Sequence, residues 1–576
     1  MKYNHQKIEK KWAKVWQEEK IYEPNLKNPL GRSSGKKNFY NLMMFPYPSA
    51  EGLHVCNMYA FTGSDIHGRF KRMRDYNVFE PIGLDGFGIH SENYALKINV
   101  HPKKQSKISE KRFYKQLESI GNGFSWDERL ETYDQEYYRW TQWIFTQLFN
   151  RGLAYRKKQA VNWCLSCQTV LADEQVISGE CERCSNQVIQ KELEQWFFKI
   201  TTYAEKLLKN LDQLDWSERV KIAQKNWIGK SEGSLIKFKV KSEKLNVEED
   251  LEVFTTRPDT LFGATYVVIA PEHELIASLL QTTIPSVILS EAKDLLKIKN
   301  FEEVKKYIEE TKAKTEIERT NETKEKTGVE LLGIKAINPA NQELLPIFVS
   351  DYVLGGVGTG AIMAVPAHDQ RDYDFAKKFN LPIKIVICPN YPAVTCPILE
   401  SAYTGQGHLV ASGQFDGLES ERAKEQITKF VGGVKKTKYR LRDWLISRQR
   451  YWGPPIPMIF CESCAEETKN EKLKTKSKTG NKKNFNLGEL ENPGWFAVSE
   501  KDLPVELPNL KNFRPQGTGE SPLASLKSFS ETKCPKCQRK AKRETDVSDN
   551  FLDSTWYFFR YLDSSNQKQI FDQKLI

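Results

Sequence analysis

Nowhere in the 576 residues do about 18 apolar side chains follow one another, the length a helix needs to cross a bilayer, so a membrane-spanning protein is not expected. The amino terminus also lacks the apolar core of a signal peptide: Lys2, Lys7, Glu9, Lys10 and Lys11 crowd the stretch where it would lie, and secretion is not expected either. No unit of about 20 to 50 residues recurs, which argues against a solenoid or propeller. Length excludes a single small binding module, because domains hold about 100 to 200 residues and several are needed here. Charge is weakly basic: 86 Lys+Arg stand against 75 Asp+Glu, a formal +11 that suits a polyanionic partner without identifying one.

Cysteine is used in a pattern. Eight of the 11 fall in four Cys-x-x-Cys pairs, Cys164/Cys167, Cys181/Cys184, Cys461/Cys464 and Cys534/Cys537, leaving Cys56, Cys388 and Cys396. In a chain without a secretory signal such pairs read as structural zinc knuckles rather than disulfides, since the cytoplasm keeps thiols reduced and thiolates suit zinc. A cytoplasmic protein is expected. Cys164 to Cys184 has ribbon spacing, whereas the second set leaves 69 residues between Cys464 and Cys534 that must loop out for the pairs to meet. The knuckles are expected at about 155–192 and 458–545.

Residues 1–23 carry Ile8, Trp12, Val15 and Trp16 at helical spacing. A strand is expected over Phe39–Phe45, then a Pro-rich turn, then a basic helix with Ile66, Phe70 and Met73 on its inner face. A second strand at Val78–Ile82, a glycine-rich turn and a helix around Glu92–Lys97 repeat the plan. This alternation implies an α/β domain with a Rossmann-like parallel sheet, binding ligands at the carboxyl ends of its strands. From Trp227 the texture becomes strand-like, and residues 228–432 read as an inserted α/β domain between 1–227 and 433–576. The charged tract 291–326 reads as surface helix, and the lysine-rich tract 469–483, net +6, as disordered.

The turn Pro46–Asn57 leads from strand to helix, where free backbone N–H groups and the helix dipole favour phosphate. His54 and Asn57, three residues apart, present donors to one phosphate. This turn resembles the first signature of the class I aminoacyl-tRNA synthetases, and the flanks narrow the likeness to the leucyl-tRNA synthetase family. They include Met44-Phe45-Pro46-Tyr47-Pro48-Ser49, Gly83-Leu84-Asp85-Gly86-Phe87-Gly88, Thr255-Thr256-Arg257-Pro258-Asp259-Thr260, His368-Asp369-Gln370-Arg371-Asp372, Arg448-Gln449-Arg450-Tyr451-Trp452-Gly453 and Leu552-Asp553-Ser554-Thr555-Trp556-Tyr557, in the family's order.

The resemblance implies a leucine–tRNA ligase that uses ATP with Mg²⁺, leucine and tRNA(Leu). His54 and Asn57 are then the catalytic pair, with Val55 and Cys56 completing the ATP contact; Met44, Phe45, Tyr47 and Asp85 take the leucine. The inserted domain corresponds to an editing domain, in which Thr255, Thr256, Arg257, Thr260, Asp369 and Asp372 hydrolyse mischarged tRNA. Such a second site is physically needed, because a pocket distinguishes one methylene by only roughly 10- to 200-fold. One departure from the family is Cys56 in place of a glycine that lets the nucleotide approach the backbone, so weaker ATP binding is expected. The family's Lys-Met-Ser-Lys-Ser loop and anticodon-binding region have no counterpart before Ile576, and a second polypeptide that supplies them is one expectation. Two other readings share many of these features: a deacylase module without synthetic activity, and isoleucyl or valyl specificity. Gly229-Lys230-Ser231, Gly355–Gly360 and Lys474–Asn481 imitate phosphate-binding or lysine-loop motifs in the wrong context and carry no weight.

Overall fold

The computed structural model describes residues 3–24, 36–49, 51–171, 175–177, 179–242, 248–281, 298–312, 314, 319, 325–355, 358–392, 400–476 and 485–576. The chain divides into two compact units, one of Met1–Val176, Cys181–Lys199 and Asp443–Ile576, the other of Ile177–Glu180 and Ile200–Arg442. Among the described residues no helix is long and apolar enough to cross a membrane.

The first unit begins with α1 (His5–Glu18), β1 (Lys37–Tyr40), α2 (Val55–Met73), β2 (Tyr76–Phe79) and α3 (Ile89–Lys97). β1 and β2 pair in parallel, Lys37 opposite Tyr76 and Tyr40 opposite Phe79. Parallel bridges from Pro81 to Ser125 and from Leu84 to Glu131 carry the same order further. The strand expected to reach Phe45 ends its ladder at Tyr40, because Pro81 offers no N–H to continue it. Residues 41–49 remain outside any strand, held to the end of β2 by Asn41 N–H donating to the Phe79 carbonyl (2.8 Å) and to the segment after it by Asp85 N–H donating to that of Pro46 (3.1 Å).

Helix α2 turns a different face inward than its apolar pattern suggests. Phe61, Asp65 and Gly68 are buried, at i, i+4 and i+7, while Ile66, Phe70 and Met73, expected inside, are exposed. Asp65 is satisfied by Arg69 (2.7 Å) and by the Gly123 N–H (2.6 Å), so a carboxylate takes an inner position. Gly68 must lack a side chain there: a Cβ would stand 2.2 Å from the buried Glu80 carboxylate.

Both four-cysteine groups sit on antiparallel hairpins of this unit. One rests on the strands Ala154–Cys164 and Val188–Phe198, paired from Ala154↔Phe198 to Cys164↔Val188. The other lies in a four-stranded sheet ordered Trp495–Ala497, Met458–Phe460, Lys540–Arg543, Glu531–Lys533. The tract expected to be disordered enters the helix Glu462–Lys476; residues 477–483 of it lie outside the described residues.

The second unit is built on a mixed sheet in the order Ala361–Ala364, Tyr266–Ile269, Leu344–Ser350, Gly328–Ile337, Lys230–Ser242, Val434–Tyr439, with Glu248–Thr255 also pairing on Lys230–Ser242. Alternation explains its core: Ile236, Phe238 and Val240 point inward and Lys237 and Lys239 outward. Because Val434–Tyr439 pairs with the start of Lys230–Ser242, this sheet extends past residue 432. Of the charged tract 291–326, the described helix Phe301–Lys312 buries Val304 and Ile308 in the same core.

Candidate active site

His54 is the residue just before α2, with extended backbone (φ −75°, ψ 148°), and its N–H donates to Asn57 Oδ1 at 3.1 Å. The Asn57 carbonyl oxygen thus closes the first turn and leaves its amide –NH₂ as the donor group. The His54 ring is exposed, with Nε2 3.5 Å from Ser49 Oγ, and Val55 and Cys56 are exposed beside it. The structure therefore groups His54, Val55, Cys56 and Asn57 at an open helix start.

Asp85 lies beyond β2, in the loop rather than at the strand's end. Its carboxylate is buried and accepts from Thr132 Oγ (3.2 Å) and Ser554 Oγ (2.7 Å). Burial raises it to about 7; the two hydroxyls oppose that shift and the nearby Asp549 adds to it. A carboxyl kept dry by its surroundings, with two oxygens already oriented, is a seat for a cation. Phe45 stacks on Tyr557 at 4.1 Å and 11°. Tyr47 O–H donates to the Phe87 carbonyl (2.5 Å) and its ring meets His90 edge-on at 5.5 Å. Gly88, at φ +100°, is required here because a Cβ would lie 2.5 Å from the Tyr47 hydroxyl. Met44 differs from its neighbours: it is 65% exposed.

Below this loop Glu92 and Arg450 form a buried ion pair (2.6 Å), and the same guanidinium reaches Asn93 Oδ1 (2.6 Å) and the Cys167 carbonyl. Trp452 Nε1–H donates to the Gly86 carbonyl (2.7 Å). The Arg448–Trp452 stretch thereby fixes the glycine-rich loop from beneath.

In the second unit, Thr255 Oγ accepts from Arg257 N–H (3.0 Å), Arg257 forks onto the fully buried Asp259 (2.9 Å), and Thr260 Oγ donates to the Arg257 carbonyl (2.8 Å). Thr256 is the exposed member of that peptide. Asp369 caps the helix Gln370–Lys378, accepting from the N–H groups of Arg371 and Asp372. Burial pushes its carboxyl up, but the Arg371 guanidinium (3.0 Å) and these amides bring it below the ordinary range. Asp372 is buried, bonded to Tyr352 O–H (3.0 Å) and Val365 N–H (2.8 Å), and raised to about 7 by burial and by Asp369. The two peptides converge on one loop: Arg257 donates to the Thr404 carbonyl (3.1 Å) and His368 Nδ1 contacts that of Tyr403 (2.9 Å). His368 Nε2 meets the N–H groups of Val386 and Ile387 (3.1 and 3.2 Å) and so acts as acceptor, which makes the ring neutral with the proton on Nδ1.

Each cysteine group is gathered. Cys164, Cys167, Cys181 and Cys184 have their Sγ atoms within 4.8 Å of one another, as do Cys461, Cys464, Cys534 and Cys537. Sulfur pairs stand at 3.4 and 4.0 Å in the first and 3.6 and 4.0 Å in the second. A tetrahedral zinc with bonds of about 2.3 Å sets its sulfurs about 3.8 Å apart, so both groups fit one.

Sequence reasoning passed over Thr132, His90, Tyr557 and Ser554. The last two lie within the Leu552–Tyr557 stretch singled out without a role, whereas Thr132 carries no local signal. Asp85 titrates near 7 when folded against an ordinary 3.8, so the folded chain holds the extra proton between those values and stability falls as pH rises through them. Asp85→Asn is expected to raise the unfolding midpoint at about pH 8, by roughly 2 to 4 kcal/mol of stability, and to change little near pH 4. Thermal unfolding at both pH values checks this; an equal effect at both would contradict it.

A family profile described as tRNA synthetases class I (I, L, M and V) matches residues 11–232 and 423–573, and one described as leucyl-tRNA synthetase, editing domain, matches 225–432. The chain is 44% identical over 574 residues to the leucine–tRNA ligase of Alkaliphilus oremlandii, covering 99% of this chain and 64% of the relative. It is 44% identical over 576 residues to that of Thermotoga maritima, covering 99% and 63%. Its fold is similar to that of the Agrobacterium radiobacter K84 agnB2 LeuRS, solved as a ternary LeuRS-tRNA-LeuAMS complex, with a TM-score of 0.77 and 33% identity over 100% of this chain and 62% of that one. The chain thus spans a little under two thirds of the length of these relatives. Matched along nearly its whole length, the chain belongs to the class I tRNA synthetases and, within them, to the leucyl-tRNA synthetase family.

Proposed function

We propose that this chain carries the leucine-activating site and the editing site of a leucine–tRNA ligase. The observation that carries the reading is the buried Asp85 carboxylate, oriented by Thr132 and Ser554 beside the Phe45–Tyr557 stack. Asp85 pairs with the leucine ammonium, and Phe45, Tyr47 and Met44 enclose its side chain. The leucine carboxylate attacks the α-phosphate of ATP and pyrophosphate leaves. His54 and the Asn57 amide donate to the phosphate oxygens where charge builds, and the backbone at Val55 and Cys56 receives the nucleotide. Mg²⁺ accompanies the ATP. A terminal ribose hydroxyl of tRNA(Leu) then attacks the leucyl carbonyl of the adenylate, and AMP leaves.

Isothermal titration with leucyl-sulfamoyl adenosine and its isoleucyl counterpart tests the synthetic site. The leucyl analogue is expected to bind at least tenfold more tightly, and Asp85→Ala to weaken it by about 100-fold or more. Equal affinity for both analogues, or indifference to Asp85→Ala, overturns the assignment.

The editing domain is built on the sheet that runs from Lys230 to Tyr439, so it reaches a few residues past the 228–432 read from sequence and stands between the two catalytic segments. There Thr255, Thr256 and Thr260 position a water, Arg257 holds that peptide through Asp259, and Asp372 holds the mischarged ammonium beside Asp369 at the helix cap. The water oxygen adds to the ester carbonyl, the bond from that carbon to the ribose oxygen breaks, and the ribose oxygen leaves as a hydroxyl with a proton given up by the water. Hydrolysis of isoleucyl-tRNA by the chain is expected to fall at least tenfold in Thr256→Ala/Asp372→Asn, whose Asn retains an acceptor for Val365; an unchanged rate removes this role.

Zinc at the two cysteine groups stiffens the hairpins, in keeping with a cytoplasmic protein whose thiols stay reduced. Two zinc ions per chain are expected by elemental analysis and one in Cys181→Ser; absence of bound zinc in the purified chain contradicts this.

A further inference from the structure

The turn between Cys181 and Cys184 carries Glu182 and Arg183, and both side chains reach His90, the second residue of α3. The Arg183 side chain is only 4% exposed: its Nη2 meets Glu182 at 3.1 Å, its Nε donates to His90 Nε2 at 3.1 Å, and its buried Nη1 finds no acceptor among the described residues. His90 therefore accepts at Nε2 and carries its proton on Nδ1 as a neutral ring. That ring is nearly half exposed; Arg183 supplies its hydrogen bond, and Tyr47, edge-on at 5.5 Å and 86°, supplies its ring contact.

The same cysteine hairpin holds α3 at two further points. Asn93 Nδ2 donates to Cys167 Sγ at 3.8 Å, and Arg450 joins the Cys167 carbonyl to Glu92 and Asn93. His90 and Asn93, three residues apart, thus turn one face of α3 to the hairpin, while Ser91 Oγ donates to the Pro48 carbonyl (3.3 Å) and ties the helix to the segment of Tyr47. A guanidinium with an unmet buried donor is not held by its own bonds alone. The backbone of the Cys181–Cys184 turn places it, with Cys181 N–H on the Asn186 carbonyl and Ser185 N–H on that of Cys181, both at 2.9 Å. Four thiolates on one zinc would fix the shape of that turn.

We propose that Arg183 is a positioning residue for leucine: carried by the first cysteine group, it acts through His90 on the Tyr47 ring, so that metal loading of this group tunes leucine affinity. The effect on leucine rests on the proposed function; the Arg183–His90–Tyr47 link does not. With Arg183 gone, or the turn loosened, the imidazole loses its hydrogen bond and swings into solvent, and Tyr47 loses the edge contact that steadies its ring. A contact of this kind is worth roughly three- to tenfold in affinity.

The test is a double-mutant cycle on the full chain, read by isothermal titration with leucyl-sulfamoyl adenosine. Arg183→Ala and His90→Ala are each expected to weaken the analogue by roughly three- to tenfold, and the double variant no more than either alone. In a His90→Phe background, where a ring meets Tyr47 without needing a donor, Arg183→Ala is expected to change nothing further. Cys181→Ser should reproduce the loss and add nothing to Arg183→Ala. The proposal is overturned if Arg183→Ala or Cys181→Ser binds as tightly as the unaltered chain, or if the two single losses multiply in the double variant. It is overturned as well if Arg183→Ala sheds zinc or lowers the thermal midpoint as far as Cys181→Ser does, which would make Arg183 a part of the hairpin's own stability. A chain that ignores the leucyl analogue in every form sinks the functional reading. The link is then read from the fluorine resonance of 3-fluorotyrosine at Tyr47, assigned with Tyr47→Phe: a shift in Arg183→Ala and in Cys181→Ser is expected, and an unmoved line overturns the proposal.

Discussion

Past the bond from Asn41 to Phe79 at the end of β2, two hydrogen bonds fasten the segment after β1 to the segment after β2: Asp85 to Pro46 and Tyr47 to Phe87. Neither segment is a strand at that point, because Pro46, Pro48 and Pro81 deny the ladder its donors. Everything chemical in the first unit hangs from this seam. On one side it carries Phe45, Tyr47 and the approach to His54; on the other it carries Asp85 and the turn at Gly88. Trp452 and the Glu92–Arg450 pair brace it from below. A buried ion pair of that kind is weak evidence for stability, but loss of one member leaves a charge stranded, so the pair holds the loop in one arrangement.

Dehydration of Asp85 is the energetic counterpart of this geometry. A carboxyl lifted to about 7 is an ion that folding does not favour, and an ammonium arriving beside it recovers that cost. Asp372 in the second unit shows the same combination, burial with two well-directed donors and a carboxyl lifted to about 7. Asp85 takes both donors from side-chain hydroxyls, whereas Asp372, in the first turn of its helix, takes one from the Val365 backbone and one from the Tyr352 hydroxyl.

Much of this was legible from sequence where a residue acts through near neighbours. Cys-x-x-Cys spacing announces a gathered group even when 69 residues intervene, since each pair forms its own tight turn. The inserted unit shows in the alternation of Ile236, Phe238 and Val240 with lysines. What stayed hidden depends on contacts far along the chain. Ser554 reaches Asp85 across 469 positions, and no local pattern marks the Thr132 hydroxyl. The inner face of α2 was misread because its buried positions are an ion-paired Asp65 and the small Gly68, while its apolar residues point outward. Hydrophobic periodicity reports what a helix is to be packed against, and for α2 that packing is not supplied by the described residues.

The most direct measurement is the titration of Asp85 followed by ¹³C resonance of labelled aspartate carboxyls, assigned with Asp85→Asn. The account predicts a midpoint near 7 in the free chain that falls by at least one pH unit when leucine is bound, because an ammonium favours the charged carboxyl. A midpoint in the ordinary aspartate range without leucine, or one that leucine does not move, would contradict it.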